Sequence, residues 1–213
     1  MTEFGSPANG LVVLDHDSDW AARAGALTGR LSSALGPTAV RVEHIGSTAI
    51  PGMAAKPVFD IQVSVADLDE ADRVFARPLA ELGFEQRPFH QDHVPAGSDD
   101  DPARWAKRFW SRRAGGDVNL HVRLVGSPNE RLALLFRDWF RAHPEAVPAY
   151  AAFKSVLAEN VADIDVYSDV KDPVVDLVVA VAEPWAAVTG WTPPAVGGAQ
   201  ARVAAAVAGT PAA

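Results

Sequence analysis

Cysteine is absent from all 213 residues, which excludes disulfide bonds, thiolate metal ligands and a cysteine nucleophile. No apolar run approaches the ~20 residues that a membrane-spanning helix requires, so a membrane partner is not expected. The segment 1–10 lacks the basic and apolar regions of a secretory signal peptide. Together these absences predict a cytoplasmic protein.

Positive charge is also scarce in this chain. The net charge is −8, the sequence pI is near 5.2, and only four residues are lysine. A protein that binds nucleic acid broadly needs a basic face, so nucleic acid is not an expected partner. A protein with this negative net charge can still contain a local basic pocket.

Apolar spacing and breaker residues divide the chain into short elements. The predicted strands cover 11–14, 39–45, 58–65, 84–89, 105–113 and 118–125, the last two paired as a hairpin. The predicted helices run from 17–19 to 35 and over 67–82, 128–142, 145–160 and 164–188. The intervening segment 90–104 is polar and is predicted to be a loop.

Strands dominate the first part of the chain and helices the second. This order predicts an α+β protein in which a sheet domain over 1–126 is followed by a helical cap over 127–190 in one compact unit. The Ala-, Pro- and Gly-rich tail over 191–213 is predicted to lack fixed structure. A ligand-binding cleft is expected between sheet and cap.

The segment 44–65 carries the strongest chemical signal. A Gly-Ser-Thr run follows the strand that ends near residue 45, and small residues there let a ligand approach the backbone. Lys56 adds a positive charge, and Asp60 begins the next apolar strand. A cation, small residues and a strand-borne carboxylate favour a phosphate-and-metal site, although the spacing does not match a Walker A loop.

Several motifs in this order resemble the GrpB family. They are HIGST at 44–48, Lys-Pro at 56–57, NLHV at 119–122, FRD at 136–138, RAHP at 141–144, and two Tyr-xxx-Lys pairs, and together they span roughly 11–187. The resemblance implies a nucleotidyltransferase-like, polymerase-β-like mixed β-sheet with flanking helices and a C-terminal helical cap. It also implies a nucleoside triphosphate as substrate, with Mg²⁺ or Mn²⁺ as cofactor and a small-molecule acceptor.

The resemblance assigns the metal to residues on the strands predicted over 58–65 and 118–125. Asp60 and Gln62 occupy the i and i+2 positions at which the superfamily usually has two carboxylates, and Gln62 offers only an amide oxygen. Asn119 and His121 share a strand face where a third carboxylate often stands. Asp60 and His121 are the predicted catalytic residues. The alternatives are a strand-capping Asp60 and a half-buried His121 bound to a backbone carbonyl.

Phosphate binding is assigned to a second set of side chains. Gly46, Ser47 and Thr48 would hold phosphates beside Lys56, while Lys154 and Lys171 would close over the triphosphate from helices. Arg123 continues the His121 face and could reach a phosphate or form a surface salt bridge. The alternative for the two helical lysines is a stem that lies along the helix with its ammonium in solvent. The paired tyrosines, Tyr150 and Tyr167, are interpreted as packing residues.

Two further clusters receive structural interpretations. Asp138 and Arg141 are predicted to form an ion pair at i,i+3, and His90, Asp92 and His93 are interpreted as a solvated loop.

Two functions therefore follow from the sequence. The first is an enzyme that transfers a nucleotidyl group to a small molecule, or activates its acyl group by the same attack at phosphorus. The second is a non-catalytic nucleotide-binding module that supports a CoA-related or biosynthetic enzyme. The missing second carboxylate at Gln62 motivates the second hypothesis.

Overall fold

The computed structural model describes residues 12–161 and 163–195. Its helices are α1 (Trp20–Leu35), α2 (Leu68–Glu81), α3 (Pro128–Ala142), α4 (Val147–Asn160) and α5 (Ile164–Thr189). Its strands are β1 (Arg41–Ile45), β2 (Phe59–Val65), β3 (Glu85–Arg87), β4 (Lys107–Arg112) and β5 (Val118–Leu124). The α+β class is confirmed, and no helix among the described residues is long and apolar enough to cross a membrane.

The five strands form one mixed sheet in the order β1-β2-β5-β4-β3. Neighbouring strands are antiparallel except for the central pair, β2 and β5, which are parallel. The parallel register sets Asp60 opposite Asn119 and Gln62 opposite His121. This pairing brings together the polar residues of two strands that are far apart in the sequence.

One face of the sheet is apolar and packs under α1 and α2. Phe59, Ile61, Val63 and Val65 alternate along β2 with the period of two that directs side chains to one face. Trp20 contributes the largest buried ring of α1 to the same cluster. Asp67 caps α2, since its carboxylate accepts hydrogen bonds from the backbone N–H groups of Asp69 and Glu70 at 2.7 and 2.8 Å.

The opposite face of the sheet is polar and lies towards the C-terminal helices. It carries Asp60, Gln62, Asn119, His121 and Arg123. A second apolar cluster beside it joins the segment after β1 to α3 and α4 through Ile50, Met53, Phe136, Phe140, Val147 and Tyr150. The site therefore lies on the polar face of the sheet, and the opposite face packs into the hydrophobic core.

Three predicted elements differ from the structure. The strand expected over 11–14 is reduced to one bridge between Leu14 and Ala55, and residue 11 lies outside the described residues. Trp105, expected in a strand, ends a short 3-10 turn, Pro102–Trp105. Trp191, expected in an unstructured tail, packs against Trp185 and donates to Asp138 at 3.2 Å. Residues 196–213 lie outside the described part.

Candidate functional site

The polar face of the sheet opens into a cleft of about 580 Å³. Its walls come from the segment after β1, the start of β2, strand β5, the loop around residue 92, and helices α3, α4 and α5. All four lysines of the chain line this cleft: Lys56, Lys107, Lys154 and Lys171. An acidic protein has thus placed every lysine at one site.

Three of these lysines have no acidic partner. Lys107 is paired with Asp92 at 2.7 Å, whereas Lys56, Lys154 and Lys171 form no ion pair with any carboxylate in the described ranges. Lys154 is 3% exposed, and its Nζ donates to the carbonyl of Ala54. Lys154 and Lys171 therefore both line the cleft, and their closure over a triphosphate stays a prediction.

The two tyrosines support the lysine ammonium groups. The Nζ of Lys56 lies 4.3 Å from the ring centroid of Tyr167, and that of Lys154 lies 5.1 Å from that of Tyr150. Both tyrosines are buried. Such cation–π contacts favour charge over the ring but do not neutralise it.

Burial and their mutual repulsion lower the pKa values of two of these lysines. Burial lowers the pKa of Lys154 to about 7, the charge of Lys171 lowers it too, and Asp60 opposes this. Burial and then the charge of Lys171 also lower the pKa of Lys56. The proximity of the three lysines therefore disfavours the charged forms of Lys56 and Lys154.

The lysine environment predicts a dependence of stability on pH. Because the pKa of Lys154 is about 7 when folded and 10.5 in its unperturbed state, the unfolded chain binds more protons between these values. Stability attributable to Lys154 must then rise with pH, by up to ~1.4 kcal/mol per unit. Urea titrations at about pH 7 and about pH 9 should show this rise in the wild type and a smaller one in Lys154→Met. Equal rises in both would contradict the assigned pKa.

Asp60 is the carboxylate closest to the centre of this charge. Its Oδ1 accepts from Asn119 Nδ2 at 2.9 Å and lies 3.7 Å from Nε2 of His121. Burial alone would raise the pKa of Asp60, but His121, Asn119 and the charge of Lys171 outweigh it and lower the pKa to about 2. Asp60 is therefore ionised at neutral pH.

His121 is held as a neutral ring with a defined tautomer. Its Nδ1 lies 3.3 Å from an Nη2 of Arg123, which can only donate, so Nδ1 accepts and Nε2 carries the hydrogen. Burial and the charges of Arg123 and Lys107 together lower the pKa of His121 to about 4, although Asp60 opposes this. In this arrangement both ring nitrogens are engaged, and the roles of His121 as metal ligand and base stay predictions.

Gln62 and Arg123 are bound to each other at the back of the cleft. Gln62 is fully buried, its Oε1 accepts from Arg123 at 2.6 Å, and its Nε2 donates to the carbonyl of Glu130 at 3.1 Å. Arg123 also pairs with Asp92 at 2.8 Å. Arg123 lines the cleft with these partners already bound, whereas Gln62 lies behind it, and metal binding by Gln62 and phosphate binding by Arg123 stay predictions.

The remaining donor set fits a cation held mainly by phosphate oxygens. Asn119 directs its amide N–H to Asp60, and its oxygen accepts from Arg113 at 3.1 Å, so this predicted ligand is engaged as well. The described residues contain no group of three His, Asp or Glu side chains spaced for a metal ion. Mg²⁺ commonly takes one protein carboxylate and completes its shell with phosphates and water, which Asp60 alone can satisfy.

Gly46 allows the backbone to pass directly over Asp60. Its φ of 70° is in the left-handed region, and a Cβ there would lie 2.4 Å from Oδ2 of Asp60. Ser47 follows and lines the cleft. The hydroxyl of Thr48 donates to the carbonyl of Val58 at 3.2 Å and lies 2.8 Å from His44 Nε2, and its contact with phosphate stays a prediction.

Replacement of Gly46 should displace the carboxylate beneath it. Gly46→Ala places a methyl group against Asp60 and imposes a left-handed conformation that costs ~1 kcal/mol or more. We expect a lower unfolding midpoint and loss of ligand binding at the cleft, whereas Gly97→Ala, also at positive φ but with open space around it, should lose stability alone. Chemical denaturation with nucleotide titration of both variants distinguishes them; equal binding in both would contradict the steric account.

Asp92 is the main group that sequence reasoning missed. Interpreted as part of a solvated loop, it is instead largely buried and accepts from Lys107, Arg123 and Asn129. Burial would raise the pKa of Asp92, but the charges of Arg123 and Lys107 hold it well below the usual range. His93 of the same loop binds Asp176 of α5 at 3.1 Å. No local pattern marks these contacts, since every partner lies at least 15 residues away.

The predicted ion pair between Asp138 and Arg141 is present at 3.5 Å. Arg141 also donates to the carbonyl of Ala49, and Arg137 joins Glu43, Asp138 and the carbonyl of His44. These arginines therefore tie α3 to the segment around β1 and do not form a free anion patch.

Comparison with known proteins agrees with this architecture. The chain is 37% identical over 196 residues to a dephospho-CoA kinase of Mycolicibacterium paratuberculosis, covering 83% of this chain and 47% of that protein. The chain thus spans about half the length of such relatives. It is 36% identical to a UPF0157 protein of Streptomyces coelicolor, covering 76% of this chain and 78% of that protein.

A crystal structure of the conserved protein GrpB from Enterococcus faecalis matches the fold. The TM-score is 0.67 at 24% identity, and the match covers 82% of this chain and 99% of that one. The family model described as GrpB protein matches residues 11–180. The chain belongs to the GrpB family.

Proposed function

We propose that this protein binds a nucleoside triphosphate with Mg²⁺, or Mn²⁺ in its place, and transfers a nucleotidyl group to a small-molecule acceptor. The observation that carries the proposal is that Lys56, Lys154 and Lys171 converge on one cleft and form no ion pair with any carboxylate that the structure describes. Buried cations are normally paired, because an uncompensated charge in a protein interior is costly. A polyphosphate would supply the missing negative charge.

We propose distinct tasks for the residues of the cleft. The three lysines would bind phosphate oxygens as point charges. Asp60 would hold the divalent cation, which lowers the negative charge of the phosphates when bound. Gly46 and Ser47 would let the ligand approach the backbone beside that carboxylate. Asn119 and His121 would keep Asp60 in place from the neighbouring strand.

Nucleotide binding can be tested with the four common triphosphates. Thermal unfolding with ATP, GTP, CTP and UTP, each with and without Mg²⁺, should show stabilisation that rises with ligand concentration. Lys171→Ala should weaken it, while Arg77→Ala, which removes a cation exposed on α2 far from the lining residues, should not. Failure of every nucleotide to stabilise the wild type would refute the proposal.

A non-catalytic nucleotide-binding module is the second proposed function. It is supported by Gln62, whose amide is fixed by Arg123 and Glu130 and leaves Asp60 as the lone carboxylate of the strand pair. The relatives named dephospho-CoA kinase, of which this chain spans about half, point to a CoA-related enzyme as the supported activity. Release of pyrophosphate across a panel of alcohol, amine and carboxylate acceptors would favour the transferase; nucleotide binding without it would favour the module.

A further inference from the structure

Three rings form an aromatic row that leads from the cleft to the edge of the sheet. The ring centroid of His121 lies 4.9 Å from that of Phe109, its register partner on β4. The ring of Phe109 in turn lies 5.8 Å from that of Phe89, which follows β3. At the inner end of the row, Nε2 of His121 is 3.7 Å from Oδ1 of Asp60. Aromatic surface therefore continues outwards from the proposed metal ligand.

The outer end of the aromatic row is open to solvent. Phe89 is 55% exposed, and it is the one aromatic ring among the large apolar side chains that are exposed in the part of the chain that the structure describes. Phe109 is partly exposed beside it. Single exposed aliphatic residues are ordinary on a protein surface, whereas two contacting rings that continue from a ligand cleft provide a surface for a flat ligand.

Two of the cleft lysines lie on the other side of Asp60. Lys56 belongs to the segment that joins β1 to β2, and Lys154 donates to the carbonyl of Ala54 in the same segment. In the strand order β1-β2-β5-β4-β3, the aromatic row begins at β5 and runs away from β1. A polyphosphate on these lysines and a flat ligand on the rings would therefore approach Asp60 from opposite sides.

Opposite approach is what nucleotidyl transfer requires, and the inference rests on that proposed function. The acceptor atom bonds to the α-phosphorus while the bond to the pyrophosphate oxygen breaks, and the proton of the acceptor passes to solvent water. The attacking and leaving atoms lie roughly in line, on opposite sides of the phosphorus. With the pyrophosphate held by the lysines, the acceptor comes from the side of the aromatic row.

We propose that the acceptor is a small molecule with a planar aromatic ring, which stacks on Phe109 and Phe89 while its reactive group points towards Asp60. Stacking on an aromatic side chain favours a flat π-system over a saturated ring of the same size. Lys107, whose Nζ lies 5.2 Å from the ring centroid of Phe109, is already paired with Asp92. This side of the cleft therefore selects by stacking, not by a free charge.

Fluorine NMR of the full chain labelled with fluorophenylalanine tests this subsite without nucleotide. The Phe89 signal is identified by its loss in Phe89→Leu, and the probes are benzyl alcohol and its saturated match, cyclohexylmethanol, at up to about 20 mM. Benzyl alcohol should shift the Phe89 signal saturably, and cyclohexylmethanol should not. Followed at the Phe109 signal, Phe89→Leu should weaken benzyl alcohol binding ~5-fold or more. Phe89→Tyr should retain it, as should Val74→Ala, which alters an exposed residue of α2.

A second titration separates an aromatic acceptor from the base of the nucleotide. Calorimetry compares MgATP with magnesium tripolyphosphate, which has no base, in the wild type and in Phe89→Leu. The proposal predicts equal affinities in the two proteins. If the variant weakens MgATP binding alone, the rings bind the base and the proposal is overturned. Absence of a saturable Phe89 shift with benzyl alcohol, or an equal shift with cyclohexylmethanol, would overturn it too. Failure of both polyphosphates to bind would instead refute the proposed function, independently of the aromatic titration.

Discussion

Asp60→Asn should reverse the effect of Mg²⁺ on nucleotide affinity. Under the proposed function, Asp60 of the wild type would repel bare phosphate and attract the cation that accompanies it. Without Mg²⁺, the variant should bind ATP up to ~10-fold more tightly, because one negative charge has gone from a partly buried site. With Mg²⁺, it should bind at least ~100-fold more weakly, since its cation loses a carboxylate ligand.

Calorimetric titration with ATP, once with a chelator present and once with Mg²⁺ present, measures both affinities on one protein preparation. Asp117→Asn is the matched control, because Asp117 also lines the cleft but is not among the groups that touch Asp60. The control should keep the wild-type gain from Mg²⁺. A folded Asp60→Asn variant with the wild-type ratio of the two affinities would show that the cation sits elsewhere.

Lys154→Met should stabilise the ligand-free protein and strongly weaken ligand binding. The ammonium of Lys154 is buried beside two other cations, with a carbonyl as its hydrogen-bond partner and a tyrosine ring nearby. Replacing such a charge with a long apolar side chain removes the desolvation cost, although the carbonyl of Ala54 then loses a donor. We expect a net gain of ~1–2 kcal/mol at about pH 7 and a rise in Tm of ~2–6 °C.

Binding should change in the opposite direction. Loss of one charge-assisted contact should weaken MgATP binding by ~10–100-fold. Wild-type binding above about pH 7 should also take up a proton, because phosphate raises the pKa of Lys154 from its lowered value. Calorimetry in buffers of different ionisation enthalpy reports that uptake, and Arg77→Met is the exposed control. A variant that loses stability yet binds normally would make Lys154 a purely structural residue.

Sequence periodicity was sufficient to predict most of the fold. The bounds of α3 matched because a proline starts the helix and His143-Pro144 ends it. The cap of Asp67 on α2 and the pairing of β4 with β5 followed from equally local rules. The predicted strand over 11–14 does not form, because Leu14 makes only a single bridge, to Ala55, and no ladder of backbone hydrogen bonds follows.

The positions of two predicted site residues follow from equally local rules. Lys154 and Lys171 reached the cleft because each sits one helical turn from a tyrosine that packs inward. The hydrogen bonds of Gln62 and Arg123 could not be predicted locally, because their partners Glu130 and Asp92 come from other parts of the chain. Side-chain type suggested available ligands, but only tertiary contacts reveal which oxygens and nitrogens are already occupied.

The most direct test of a polyphosphate site is titration of MgATP into the wild type and into Lys56→Ala and Lys171→Ala. These lysines line the cleft without forming an ion pair to a described carboxylate, so their removal leaves no acidic partner exposed. The account predicts saturable binding near one nucleotide per chain, weakened ~10-fold or more by each substitution and unchanged by Arg77→Ala. Absence of saturable binding to the wild type, or equal affinity in all four proteins, would contradict it.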